Sequence, residues 1–233
     1  MKIGMPLAGV CLFVSIGIGA AFEPPTIVST SPKFWSVGVD AKKQNAISVT
    51  FGQPMRPGFS SWLGESSIAP DVQAEATISQ DLRTFSLSLH FEPGKVYVFG
   101  LNEVGLPGVG FQTEKGLALR PTYLVFQTAG NPSQEDAPPR ALSTFPGNAS
   151  QDVNPATTKS ITVTFDRPMQ TKKHGFHLFE EKKPADLKGV SFTYSPDGKI
   201  FMLNYPLKPS TRYEVVMNCS EDIGFAATNR APL

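Results

Sequence analysis

The stretch "ITVTFDRPM" (161–169) repeats "ISVTFGQPM" (47–55) at six of nine positions, 114 residues further along the chain. In both stretches apolar residues alternate with polar ones, which predicts a strand with one face in a core and the other toward solvent. The repeat predicts that the chain of 233 residues contains two copies of one β-rich module. Each copy would be about a hundred residues long, a common size for a single domain.

The repeat extends over most of the chain. "PPTIVSTSP" (24–32) corresponds to "PPRALSTFP" (138–146) at the same offset, and further on the spacing becomes 116. Between the copies, the polar stretch "TAGNPSQEDAPP" (128–139) is typical of a short linker. At the longer spacing the matched pairs are Phe85 and Phe201, Leu87 and Leu203, Pro93 and Pro209, Tyr97 and Tyr213, and Asn102 and Asn218. The predicted organisation is a signal peptide at 1–21, a sandwich at 24–129, a linker at 130–138 and a second sandwich at 139–233.

Period-two alternation recurs in two further rows of the first copy, at 85–91 and 97–101. Turn signals such as "SQD" (79–81) and "SPDG" (195–198) separate the rows, and the mature chain has no convincing helical periodicity. Short antiparallel strands in a unit of this length favour an all-β fold of two tandem immunoglobulin-like β-sandwiches.

One tyrosine in each copy narrows this prediction. Tyr97 follows Pro93 by four residues, and Tyr213 follows Pro209 by four. A tyrosine at the start of such a strand resembles the tyrosine corner of immunoglobulin-like sandwiches, whose hydroxyl bonds to the backbone upstream. The alternative is an ordinary half-buried strand tyrosine.

The phrases "P…S..P", "ItVTFdrPM" and "l.P...Y...lN" together resemble the bacterial Ig-like domain of the SbsA type, over 24–128 and 138–218. The resemblance implies a seven-stranded sandwich that acts as a spacer, adhesion or surface-display module of exported bacterial proteins, without catalytic residues. The first copy also has the "SW" segment of one variant, in "GFSSW" (58–62), whereas the second copy has "HGFHLF" there.

The second copy is expected to lack its last strand. In the first copy that strand is "TYLVFQT" (122–128), and at the 116 spacing its counterpart would begin near position 238, beyond Leu233. The row from Tyr213 to Met217 would then form an unpaired edge, which is an aggregation hazard. The sequence is interpreted first as a truncated gene or fragment. The alternative is that a partner chain donates the strand.

The first 21 residues read as an export signal. Lys2 precedes a mostly apolar run without charge until Glu23, and the small residues Gly19 and Ala21 suit cleavage before Phe22. The alternative is an uncleaved membrane anchor. The predicted location is therefore secreted, periplasmic or at the cell surface. A net charge of +1 with 18% charged residues gives no field that would attract nucleic acid or, after cleavage, a membrane surface.

No motif of a known catalytic centre is present, so no catalytic, cofactor-binding or metal-binding residue and no cofactor is assigned. The only suggestive pair, His174 and His177, would point to opposite faces of a strand, and His90 would lie on the surface. The sequence lacks the dense loop of oxygen ligands that a calcium site needs. The candidates considered are Glu135, Asp136, Asp152, Asn154, Glu221 and Asp222. A calcium ion that stiffens the linker stays an alternative.

Four aromatic residues and one cysteine are the remaining residues of possible functional interest. Four aromatic residues could stack on sugar rings if they share one surface, or could pack in a core: Phe34, Trp35, Phe59 and Trp62. Cys219 is the one cysteine after signal cleavage, so no internal disulfide can form. The predicted function is a non-catalytic exported structural or interaction module whose partner is an unknown protein or glycan at the cell surface. The alternative is a carbohydrate- or protein-binding accessory module of a secreted hydrolase.

Overall fold

The computed structural model describes residues 23–58, 60, 62–64, 76–102, 110–133, 136–219 and 221–233, so the predicted signal peptide lies outside the described residues. The chain divides into two compact units, the first ending at Ala137 and the second beginning at Pro138. All described secondary structure is strand and turn, which confirms the predicted all-β fold of tandem Ig-like β-sandwiches.

The strands of the first unit are β1 (Ile27–Ser31), β2 (Ser36–Val39), β3 (Ala46–Phe51), β4 (Trp62–Gly64), β5 (Thr77–Ile78), β6 (Thr84–Ser88), β7 (Val96–Leu101) and β8 (Thr122–Thr128). Those of the second are β9 (Ala141–Phe145), β10 (Ser160–Phe165), β11 (Phe176–Glu180), β12 (Lys183–Pro184), β13 (Ser191–Tyr194), β14 (Ile200–Asn204) and β15 (Tyr213–Met217).

Each unit consists of two sheets. In the first unit the strand orders are β1-β3-β6-β5 and β2-β8-β7-β4, and in the second they are β9-β10-β14-β13 and β12-β11-β15. The predicted antiparallel pairing is correct for every named pair of strands but one, because β2 runs parallel to β8. Four residues of alternating type in β2 carry no signal of strand direction, so the sequence could not indicate this pair.

The repeated phrase forms the same strand in both units. β3 and β10 share one burial pattern, in which every second residue is buried, as their alternation predicts. Their registers also correspond, since Val49 lies opposite Phe85 on β6 and Val163 lies opposite Phe201 on β14. The duplication in sequence is therefore a duplication in structure.

Strand β7 departs from the alternating pattern. Tyr97, Phe99 and Leu101 are buried as predicted, but the alternate residues Val96, Val98 and Gly100 are buried as well. Alternation therefore identifies the inward side of this strand correctly and fails to predict that its other side is also covered.

The interior of each unit is filled mainly with aliphatic and aromatic side chains. Burial of such side chains stabilises a unit by about 1.5–3 kcal/mol for each one fully buried. Among the described residues, Cys219 forms no disulfide. In the first unit the buried core residues are Ala41, Ile47, Val49, Phe51, Met55, Phe85, Leu87, Leu89, Phe91, Tyr97, Phe99, Leu101, Phe111, Leu119, Leu124 and Phe126. In the second they are Ile161, Val163, Phe165, Met169, Leu178, Phe201, Leu203, Tyr205, Val215, Phe225 and Ala227.

The segment that precedes the second unit lies against the first. Lys95 forms an ion pair with Asp136 at 2.7 Å, and the Gly94 N–H donates to the Ala129 carbonyl. A Cβ at Gly94 would lie 2.8 Å from the Asn131 carbonyl oxygen, and this glycine has a φ of +68°. Part of the stretch predicted as a linker is therefore held to the turn between β6 and β7.

Candidate functional site

A tyrosine corner is present in both units. The Glu92 N–H donates to the Tyr97 hydroxyl oxygen at 2.7 Å, and the Lys208 N–H donates to that of Tyr213 at 2.7 Å. Burial raises the pKa of both phenols. The structure confirms the corner over the alternative of an ordinary strand tyrosine.

A second duplicated brace was not foreseen. The Asn102 side chain accepts from the Phe111 N–H at 2.7 Å and donates to the Phe111 carbonyl at 3.0 Å. Asn218 makes the same two bonds to Phe225, at 2.9 and 2.8 Å. Both asparagines have a left-handed backbone, with φ of 64° and 59°, a conformation that asparagine tolerates better than most residues. Their match in the sequence repeat was visible, but the residues that they bind could not be read from it.

Both units also contain one turn that an aspartate side chain braces in the same way. The Asp81 carboxylate accepts from the Arg83 N–H at 3.1 Å, and the Asp197 carboxylate accepts from the Lys199 N–H at 3.1 Å. A serine two residues earlier donates to each carboxylate and lowers its pKa. The predicted turns at "SQD" and "SPDG" are therefore present, and their acidic residues brace the backbone.

The histidines of the second unit lie in two different environments. His177 Nε2 is 3.4 Å from Cys219 Sγ, and this contact raises the pKa of the imidazole. Burial instead lowers the pKa of His174, whose Nδ1 is buried without a partner among the described residues. His90 in the first unit is exposed, as predicted. The contact between His177 and Cys219 joins residues 42 apart and was missed, because the terminal "NCSED" context gave no sign of a neighbouring histidine.

Three of the calcium-ligand candidates, Asp136, Asn154 and Asp222, have structural partners. Asp136 pairs with Lys95, and Asp222 accepts from the Gly224 N–H at 2.9 Å. The side chain of Asn154 accepts from the Ala156 N–H at 2.9 Å, as in a turn. Within the described ranges, no three residues of the types His, Cys, Asp and Glu lie together in a way that could hold a metal ion.

Two of the four aromatic candidates, Phe34 and Trp62, pack against the core of the first unit. Trp62 packs edge to face on Phe111 at 5.1 Å between centroids and contacts the buried core of the first unit. Phe34 also packs against this core, while Trp35 is half-buried and Phe59 lies outside the described residues. Trp62 follows β3 in the chain and begins β4.

Strand β15 differs from its counterpart β7 in its neighbours. In the first unit β8 lies between β7 and β2. In the second unit β15 takes the place of β7. Residues 150–153 correspond to β2 by the 114-residue offset in sequence, but they do not form a strand. Among the described strands β15 pairs only with β11. The Leu233 N–H donates to the Phe225 carbonyl as the Leu119 N–H does to Phe111, so Leu233 corresponds to a residue three positions before β8.

This fold and these braces define immunoglobulin-like β-sandwich units. Residues 135–230 match the family model of bacterial Ig-like domains. No curated protein matches the chain.

Solved structures with some likeness to this chain include an S-layer protein and two tandem Ig proteins. The S-layer protein rSbsC shares 11% identity with a TM-score of 0.32, over 88% of this chain and 34% of that one. A titin tandem of two Ig domains shares 12% identity with a TM-score of 0.26, over 86% and 92% of the two chains. The tandem Ig repeats of Dlar share 7% identity with a TM-score of 0.23, over 88% and 95%. The chain spans about a third of the S-layer structure.

The described part of the chain contains no helix with the length and apolar character needed to cross a bilayer.

Proposed function

We propose that the chain is an exported, non-catalytic pair of bacterial Ig-like modules of the SbsA type that acts as a spacer or display element at the cell surface. The observation that carries this proposal is that the polar side chains shared by both units form hydrogen bonds within their own unit. In each unit the tyrosine, the asparagine and the aspartate of the repeat bind backbone groups of the same unit.

Bracing of this kind favours a function based on shape. A buried hydrogen bond between a side chain and the backbone contributes about 1 kcal/mol and also holds a loop in one conformation. A seven-residue strand such as β8 extends about 23 Å, which sets the length of one sandwich along its strands. The match of residues 135–230 to bacterial Ig-like domains supports an extracellular or surface location.

The export part of the proposal is tested in a bacterial host that produces the full chain. We expect the mature protein to begin near Phe22 and to be cut by a protease added to intact cells. Mass spectrometry of the N-terminus and protease treatment give the two readouts. The matched control lacks residues 2–21 and should stay inside the cell. Full-length protein that keeps Met1 and resists the protease on intact cells would contradict the proposal.

A binding role is the second candidate, and exposed apolar side chains on β9 favour it. Leu142 is 64% exposed and Phe145 is 59% exposed on this edge strand. A glycan array and a pull-down from envelope extracts would reveal a ligand. Specific binding that disappears in a variant with Leu142→Ser and Phe145→Ser, and survives in a Val28→Ser control, would replace the spacer by a binding module. Val28 is the equivalent of Leu142 in the first unit and is 67% exposed.

A further inference from the structure

The turn between β6 and β7 differs from its repeat in the second unit at two positions. It reads "PGK" at 93–95, whereas the equivalent turn reads "PST" at 209–211. Both residues that differ, Gly94 and Lys95, bind the segment that follows β8. We propose that this segment, residues 129–136, is a strap locked to the first unit by charge, and that its release lengthens the connection to the second unit. Residues 134 and 135 of the strap lie outside the described residues.

Gly94 allows the strap to lie close to the turn. Its N–H donates to the Ala129 carbonyl at 2.9 Å, and a Cβ on Gly94 would lie 2.8 Å from the Asn131 carbonyl oxygen. A Cβ on Gly130 would lie 3.0 Å from the Gly94 nitrogen, so two glycines bring the two backbones together. The turn itself does not require glycine, since the equivalent Ser210 has a φ of 51° where Gly94 has 68°. The glycine at position 94 therefore serves the strap.

Lys95 provides the charge that holds the strap. Its Nζ lies 2.7 Å from Asp136 Oδ2, and the two side chains are only 26% and 20% exposed. The Ser133 hydroxyl donates to the same carboxylate oxygen at 2.7 Å, and Lys95 and Ser133 together lower the pKa of Asp136. In the second unit Thr211 takes the place of Lys95 and carries no charge. The carboxylate in the linker is therefore neutralised by a cation of the first unit itself.

The strap gains little from apolar burial. Each of its described residues, 129–133 and 136, is exposed or half-buried. A segment with few buried apolar contacts opens at a lower free energy than the strands of a core, so the strap should detach while the sandwich stays folded.

Release of the strap changes the length of free chain between the units. With the strap in place, residues 137–140 separate it from β9, whereas after release residues 129–140 separate β8 from β9. The reach of a flexible chain grows as the square root of its length, so the connection would extend by a factor of about 1.7. The inference rests on the spacer function proposed above, because it gives that spacer two lengths.

The experiment uses the purified mature chain and two NMR readouts. The first is the heteronuclear NOE of the strap amides, which we expect to equal that of β7 in the native chain. The second is hydrogen exchange at Gly94, whose N–H donates to the strap and should therefore be protected.

Two variants remove the charge lock from opposite sides. Lys95→Met and Asp136→Ala should each lower the strap NOE and speed exchange at Gly94 at least tenfold. Lys43→Met is the matched control, since Lys43 forms an exposed ion pair with Asp40 at 3.4 Å elsewhere in the first unit. This variant should keep the native values of both readouts.

A third variant tests the close approach of the two backbones. Gly94→Ser copies the turn of the second unit and should detach the strap through contact with the Asn131 carbonyl, whereas Ser210→Gly should leave it in place. Small-angle X-ray scattering should show a larger maximum dimension for Gly94→Ser and Lys95→Met than for the native chain and both controls.

Three results would overturn the proposal. A low strap NOE in the native chain would show that no strap forms. Native readouts in Asp136→Ala would exclude the charge lock, and this variant decides the test if Lys95→Met fails to fold, because Asp136 lies outside every strand. An unchanged maximum dimension in Gly94→Ser would show that the strap does not set the length of the connection. All readouts use purified protein, so their failure is distinguishable from a failure of export.

Discussion

Asn102 holds Phe111 by both of its backbone groups, with one bond of 2.7 Å from the N–H and one of 3.0 Å to the carbonyl. The same amide also donates to the Leu119 carbonyl at 2.9 Å. Phe111 is fully buried and contacts Phe51, Phe85 and Trp62, so the asparagine fixes the backbone of a central core residue. Asn218 repeats this relationship in the second unit.

Replacement of Asn102 should destabilise the first unit strongly. Asn102→Ala leaves the buried Phe111 N–H without its acceptor, and we expect a loss of about 2–3 kcal/mol in the free energy of unfolding. Urea unfolding followed by tryptophan fluorescence measures it, since Trp35 and Trp62 both lie in the first unit. Asn102→Gly removes the side-chain hydrogen bonds but suits the positive φ, so it separates the effect of the bonds from that of backbone strain. This variant should still show most of the loss expected for Asn102→Ala. Asn45→Ala at an exposed asparagine is the control. Equal stability of the Asn102 and Asn45 variants would contradict the brace.

Loss of either corner hydroxyl should cost each unit a similar amount. Tyr97→Phe and Tyr213→Phe each remove one bond of 2.7 Å to a backbone N–H, and we expect a loss of about 1 kcal/mol from the unit concerned. Tryptophan fluorescence follows the first unit, and proteolysis in urea follows the second. Tyr194→Phe is the matched control, since its hydroxyl lies 3.4 Å from the Lys173 carbonyl and should contribute much less. If Tyr194→Phe lowers the stability as much as the corner variants do, the loss is not specific to the corner.

The pKa values of the two histidines of the second unit should be shifted in opposite directions. The contact with Cys219 raises the pKa of His177 above the ordinary value of about 6.5, and burial lowers that of His174. The stability that His177 contributes is therefore fully present below its unfolded pKa and is lost as the pH rises through the folded pKa. The stability linked to His174 is present above its unfolded pKa and is lost as the pH falls through the folded one.

Ring resonances in NMR measure both titration midpoints directly. Cys219→Ala should lower the midpoint of His177 and leave that of His174 nearly unchanged. A His177 midpoint below that of His174 in the native chain would refute the contact.

Truncation of Trp62 should lower the free energy of unfolding of the first unit, and this loss should not depend on a ligand. Trp62→Ala opens a cavity beside Phe111, and we expect a loss of about 3–5 kcal/mol. Trp62→Phe should cost less, because it keeps a ring there and the indole N–H is buried without a partner among the described residues. Val37→Ala, at a side chain that is 76% exposed, is the control. Far-UV circular dichroism in urea measures all three variants. Native stability of Trp62→Ala would place this side chain outside the core.

The sequence predicts local features of the fold well, because they depend on neighbouring residues. The alternation in 47–55 and 161–169 defines two strands, and the proline-to-tyrosine spacing identifies both corners. Features that depend on distant residues were missed. The parallel pairing of β2 with β8 and the contact of His177 with Cys219 each join segments far apart in sequence. Trp62 shows the same limit, since an aromatic residue gives no sign in the sequence of whether it faces a core or a ligand.

The central claim is that one sandwich is built twice, with equivalent registers and separate cores. Cross-strand contacts between backbone protons in NMR spectra of the mature chain test it most directly. We predict contacts of β3 with β6 in the register Val49 opposite Phe85, and of β10 with β14 in the register Val163 opposite Phe201. Contacts of β3 with β14 in place of β6, or helical contacts in either repeated phrase, would contradict the account.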